Sequence, residues 1–226
     1  MGTLINRREW LALMAAGSAG IAAGPAWSAT KKAESRNALV AAWEAEHGYQ
    51  VGVLTRAQGL LRTSAALDVP TRAHGLLVER GGTLLAVARR PGDWLLRWRP
   101  DGEALAWAWI VPDRAYNGHV IANRDGARLY TTETNLETGA GLIGVRDAQS
   151  LEKLAEWPTH GMDPHELLWD HDGSLVVANG GIPTLPETGR LKVHLDQMDS
   201  SIVRLAPQGG RLLGQWRLEG PRLSLR

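Results

Sequence analysis

Three stretches of this sequence repeat one another. His74-Gly-Leu-Leu-Val leads through Gly81-Gly82 to Thr-Leu-Leu-Ala-Val-Ala. His119-Val-Ile-Ala leads through Asp125-Gly126 to Ala-Arg-Leu-Tyr-Thr-Thr, and His165-Glu-Leu-Leu-Trp through Asp172-Gly173 to Ser-Leu-Val-Val-Ala. The histidines stand 45 and 46 residues apart, and each leads its turn by 7 or 8 residues. A fixed period of this length marks an array of like units stacked on one another, and it constrains the fold more than any local propensity does.

Each unit reads as a short apolar strand, a Gly-Gly or Asp-Gly turn and a second apolar strand, the pattern of a tight hairpin. Two more strands follow in every unit: 94–99 and 104–111, then 141–146 and 151–157, then 202–205 and 211–218, each pair parted by turn-forming residues. Four short strands per unit make one blade of a β-propeller. Ahead of the repeats, 37–45, 50–55 and 60–69 read as three strands without a leading histidine strand. Such an incomplete first blade suits ring closure, in which the other terminus supplies the missing strand and no edge is left open. Helical patterning is nearly absent here, which excludes helix-containing solenoids. The expectation is therefore all-β, a propeller of four-stranded blades over 37–226, joined by a linker at 29–36 to what precedes it. About 198 residues follow position 28, a little over four units of the repeat. The last residues, Leu223-Ser-Leu-Arg226, stand where a fifth inner strand would begin. A C-terminally truncated ring is expected, with a closed four-bladed ring as the alternative.

Residues 1–28 read as an export signal. Arg7-Arg8 precedes Leu11 to Ala23, a small and apolar run broken by Gly17, Ser18 and Gly20, and Ala26-Trp27-Ser28 offers small residues for cleavage. The run is too short and glycine-rich for a membrane span of about 20 residues. The paired arginines resemble a twin-arginine motif and point to the periplasm, an ordinary secretory signal being the alternative.

Beyond residue 28 the chain carries 23 basic and 23 acidic residues. That balance argues against binding nucleic acid, which depends on neutralising phosphates. There is no cysteine, so disulfides, thiolate metal sites and a cysteine nucleophile are excluded. Ten tryptophans and no phenylalanine leave the large ring contacts to tryptophan, and most of these residues fall on strands, where wedges between blades are expected. No serine sits in a nucleophile elbow and no glycine-rich phosphate loop occurs.

In an antiparallel hairpin, the start of the first strand and the end of the second share a rim. His74, His119 and His165 should therefore lie beside Arg89-Arg90, Glu133-Thr134-Asn135 and Asn179-Gly180-Gly181, around the mouth of the channel that the inner strands line. A long insertion, 182–200, opens at this rim and holds Glu187, Arg190, Lys192, His194, Asp196 and Asp199; long loops in regular arrays tend to be functional. Imidazole and carboxylate suit zinc, copper or iron, so His119, His165 and Glu166 are candidate ligands of a divalent metal, with Glu133 and His194 of the same chemical kind. The alternative is that each repeated histidine bonds within its own blade, because a structural role recurs with the repeat. No closely spaced histidine pair supports the metal.

Several runs resemble a bacterial family: Thr131-Thr-Glu-Thr-Asn-Leu-Glu-Thr-Gly139 with Gly141-Leu-Ile-Gly144, Gly161-Met-Asp-Pro-His-Glu166, Val177-Ala-Asn-Gly-Gly-Ile182, and Thr188-Gly-Arg-Leu-Lys192 followed by Leu195-Asp196, Met198 and Ser200-Ser201. That family consists of exported proteins with a domain of unknown function, expected to be seven-bladed propellers of the WD40/YVTN-like kind. Their genes often neighbour those of imelysin-like periplasmic iron-uptake proteins. Leu185 and His194 depart from the family pattern, which commonly has His and Asn there. The resemblance implies three further blades and a periplasmic iron-uptake partner. It assigns no reaction and gives emphasis to Glu133, His165, Glu166, Asn179, Arg190, Lys192 and Asp196. With His119 these form the candidate ligand-binding set, Arg190 and Lys192 receiving an anionic group. The expected function is binding of a ligand, metal or protein partner at the mouth, without catalysis. The alternative is a metal-assisted hydrolase resembling propeller lactonases, with Glu133 as general base.

Overall fold

The structure, a computed structural model, describes residues 38–183, 195–217, 219–220 and 223–225. Their strands form four antiparallel sheets. The first contains β1 (Ala38–Ala45), β2 (Gly48–Ala57) and β3 (Leu60–Val69), in that order. The second contains β4 (Ala73–Val78), β5 (Leu84–Ala88), β6 (Trp94–Trp98) and β7 (Ala104–Trp109). The third contains β8 (Arg114–Ala122), β9 (Arg128–Asn135), β10 (Ala140–Asp147) and β11 (Lys153–Met162), and the fourth β12 (Pro164–Trp169), β13 (Leu175–Asn179), β14 (Ser201–Leu205) and β15 (Leu212–Arg217). Strand order follows chain order in every sheet, so the chain is an all-β propeller whose repeat unit is the blade. The β4–β5, β8–β9 and β12–β13 turns put Gly82, Gly126 and Gly173 at φ of 84°, 78° and 85°, which only glycine adopts without strain.

Three apolar layers lie between successive sheets. Val51, Val53 and Val69 meet Leu84, Ala86, Trp94, Leu96 and Trp98; Leu85, Val87 and Leu95 meet Tyr116, Val120 and Leu129; Tyr130, Ile143, Val145 and Trp157 meet Leu167, Leu175, Val177, Val203 and Leu205. Odd and even residues of β5 thus enter different layers. That explains why Leu84–Ala88 is apolar throughout, whereas a one-sided sheet would alternate.

Two expectations need correction. Leu151 does not open β11. It lies buried in the preceding turn at φ 66°, its carbonyl accepting from Arg146 Nη1 at 3.2 Å. Nor do all the tryptophans wedge blades together. Trp94, Trp98 and Trp157 do, but Trp109 and Trp216, on the outermost strands, are 58% and 56% exposed, because no further strand among the described residues covers them. Trp169 reaches across a blade boundary and donates from Nε1 to the Ala122 carbonyl at 2.7 Å. Among the described residues no helix is long and apolar enough to cross a membrane.

Candidate functional site

The inner strands lie side by side, β4 against β8 and β8 against β12. Each is irregular at the same level. In β4, Ala73 pairs with Ala88 and Gly75 with Val87, leaving His74 as an extra residue. In β8, Tyr116 pairs with Glu133 and Val120 with Thr131, so Asn117, Gly118 and His119 face one residue. In β12, Pro164 pairs with Asn179 and Leu167 with Val177, so His165 and Glu166 face one. A bulge re-aims side chains, and here it does so three times.

The bulges aim their histidines at one another. Ring centroids are 4.8 Å apart for His74 and His119, 4.5 Å for His119 and His165, and 5.6 Å for His74 and His165. One ring nitrogen from each lies within 4.8 Å of those of the other two. The close approach depends on Gly118, at φ 102°, where a Cβ would stand 2.8 Å from His74 Cδ2. Glu166 Oε2 lies 3.4 Å from His119 Nδ1. This neighbour favours a proton on Nδ1 and leaves a lone pair on Nε2, which is buried and without a hydrogen-bond partner among the described residues. Burial lowers the His119 pKa, Glu166 opposing it. It lowers that of His74 too, helped by the charges of His119, Arg89, Arg72 and Arg90. Both imidazoles are thus held neutral, the state that ligates a metal.

Glu133 occupies a different setting. It is 0% exposed, and its carboxylate accepts from Arg146 Nη2 at 2.7 Å, Lys153 Nζ at 2.9 Å and the Thr131 hydroxyl at 2.7 Å. The Arg146 guanidinium also lies over the Tyr116 ring, 4.9 Å from its centroid. Glu133 is therefore the centre of a buried ion network within one blade.

A family model described only as a protein of unknown function, DUF1513, matches residues 67–226. The chain belongs to this family. The DUF1513 match takes in all three histidine bulges and the Glu133 network. No curated protein matches the sequence. Among solved structures, the WD40 β-propeller domain of Doa1 is 11% identical with a TM-score of 0.53, over 78% of this chain and 52% of that one. The Neurospora crassa Pan2 WD40 domain is 11% identical with a TM-score of 0.51, over 79% and 51%. A candidate 6-phosphogluconolactonase from Bacteroides fragilis is 16% identical with a TM-score of 0.51, over 76% and 50%. The chain spans about half the length of these three structures, and the likeness is one of fold.

Of the residues that sequence reading singled out in this DUF1513 member, the structure brings His119, His165 and Glu166 together and adds His74. Asn179, in register with Pro164 at the end of β13, is buried, its Nδ2 donating to the Thr159 carbonyl at 2.9 Å and the Ser201 hydroxyl at 3.2 Å. Its Oδ1 is buried without a hydrogen-bond partner among the described residues. Asp196 is exposed in a short 3-10 turn, Leu195–Gln197. Arg190, Lys192, Glu187 and His194 lie outside the described residues. Asp199 pairs with Arg217 at 2.7 Å.

Two residues of the rim escaped sequence reading. Asn117 donates to the Pro164 carbonyl at 3.1 Å and so ties the bulge of β8 to that of β12. Asp163, at φ 53°, is buried and ion-paired with Arg90, which links the second blade to the fourth. The available signal was glycine beside histidine, Gly75 and Gly118, inside otherwise apolar strands, a mark of a bulge.

Proposed function

We propose that this protein binds a divalent transition-metal ion through His74, His119 and His165, as an exported binding module. The observation that carries this reading is the convergence of three imidazoles from bulges on three successive inner strands, with the His119 Nε2 lone pair left without a donor among the described residues. Imidazole suits zinc, copper, iron and nickel. A tetrahedral zinc ion, with Zn–N of about 2.0–2.1 Å, would need the nitrogens roughly 3.4 Å apart, so the widest pair closes by roughly 1.4 Å on binding. Glu166 stands behind His119 as the outer carboxylate that fixes tautomer and ring orientation in such sites. Three protein ligands leave at least one coordination position open.

A binding role is favoured over hydrolysis because Glu133, the candidate general base, is buried and held by Arg146 and Lys153. The likeness to the candidate lactonase supports the fold alone. Arg7-Arg8 and the apolar run behind them support export to the periplasm by the twin-arginine route. With a family resemblance to proteins encoded beside iron-uptake components, they support a partner in periplasmic metal acquisition. The test is titration of the purified metal-free chain with Zn(II), Co(II) and Fe(II) under anaerobic conditions. One ion per chain is expected, lost in His119→Ala and in His165→Ala without loss of fold by circular dichroism. Undiminished binding in both variants, or none in the parent chain, would overturn the reading.

A further inference from the structure

The β8 bulge is anchored at its first residue. Asn117 is 4% exposed; its Nδ2 donates to the Pro164 carbonyl at 3.1 Å and to the Thr134 hydroxyl at 2.9 Å, and its Oδ1 accepts from that hydroxyl at 3.1 Å. These partners lie in different blades. Thr134 stands on β9 in register with Ala115, so it ties Asn117 to its own sheet. The Pro164 carbonyl belongs to the peptide unit that continues into His165, so that bond crosses to the next blade and holds the backbone from which His165 projects.

Asn117 also stands two residues before His119, with only Gly118 between them. Glycine adds little stiffness of its own, so the bulge depends on anchors at its ends. At the far end the His119 N–H donates to the Thr132 hydroxyl at 3.3 Å. A second contact joins β8 to β12, His119 Nδ1 to Glu166 Oε2 at 3.4 Å, but the Glu166 side chain is 51% exposed and water competes there. The buried amide bond is the stiffer link. It joins the closest pair of the trio, His119 and His165, whose ring centroids are 4.5 Å apart against 4.8 Å and 5.6 Å for the other pairs.

We propose that Asn117 is the positioning residue of this site: its bond to the Pro164 carbonyl holds His119 and His165 together as a preset pair of ligands, which favours a small ion such as zinc over the larger cadmium. A pair fixed in advance pays less ordering cost when the ion arrives, and it resists the spreading that a larger ion demands. This inference rests on the metal reading, and one set of titrations separates the two.

The parent chain, Asn117→Leu, Asn117→Ala and Thr134→Val are titrated calorimetrically with Zn(II) and, separately, with Cd(II). Asn117→Leu nearly keeps the side-chain volume and removes the bond to Pro164; Thr134→Val removes the hydroxyl and spares that bond. Zinc affinity about tenfold weaker or more is expected in both Asn117 variants. Cadmium should be affected less, narrowing the zinc preference by about threefold or more. Thr134→Val should lower Tm yet keep the parent's zinc affinity and its preference over cadmium. Unchanged zinc affinity and preference in an Asn117 variant, or a Thr134→Val chain that loses as much of both, would overturn the inference and leave the metal site standing. A parent chain that binds neither ion would overturn both.

Discussion

Two polar side chains of one blade, carried by the same pair of strands, are opposites. Glu133 on β9, in register with Tyr116 on β8, has each oxygen answered by a cation and sits out of water. His119, three residues beyond Tyr116, has one nitrogen near Glu166 and the other unanswered among the described residues. A buried polar group that is fully satisfied holds a fold together. One that is left unsatisfied, among others of its kind, is a candidate for binding. Residue type alone would rank the glutamate above the histidine as a chemical group; its partners reverse the order.

The contrast is open to test, beginning with its structural half. Glu133→Ala would strand the Arg146 charge, which is only 3% exposed, and breaking such a pair from one side costs about 3–5 kcal/mol. A fall in Tm of roughly 10 °C or more is expected by calorimetry for a chain of this length. A change within 2 °C would mean the network is ornamental. His119→Ala should do the reverse, abolishing metal binding while Tm stays within a few degrees, since it removes an unsatisfied group and leaves none behind.

Gly118→Ala should fall between the two. Its left-handed backbone and the 2.8 Å clearance to His74 predict a displaced imidazole. Zinc affinity at least tenfold weaker is expected by calorimetric titration, with a modest loss of stability from the strained φ. Glu166→Gln keeps the ring in place but weakens its orientation and basicity, for an expected loss of about 10–100-fold in metal affinity.

The smallest effect is on pH dependence. His74 and His119 are both held below the ordinary histidine value, chiefly by burial. The folded state therefore binds fewer protons than the unfolded chain. The stability these two contribute is complete above the unfolded value of about 6.5 and is lost as pH falls through the folded values. Tm of the metal-free chain should drop on acidification from pH 7 to pH 5. It should drop less in His74→Gln/His119→Gln, and an equal drop in both would remove the histidines from the account.

Much of the architecture could be read before any coordinates. The hairpins of each unit are short-range objects, set by a Gly-Gly or Asp-Gly turn and the apolar runs beside it, and strands such as 60–69 and 94–98 emerge with their ends nearly in place. The shared rim also follows from local geometry, which is how His119, His165 and Glu166 could be named together. What could not be read was the fate of side chains that depend on a neighbouring blade. Asp163 and Arg90 are 73 residues apart in sequence, and no period connects them. Glu133 and Glu166 are both acidic residues beside a repeat, yet one is locked away and the other half exposed.

By itself the sequence determined a stacked array of hairpins, its cysteine-free chemistry and the rim on which its histidines fall, because period, turn residues and composition act over a few residues at a time. Only the tertiary structure decided that His74, His119 and His165 meet while Glu133 is neutralised. Bulges, burial and ion pairing are settled by what the adjacent strand and the adjacent blade bring, and those partners lie tens of residues away along the chain.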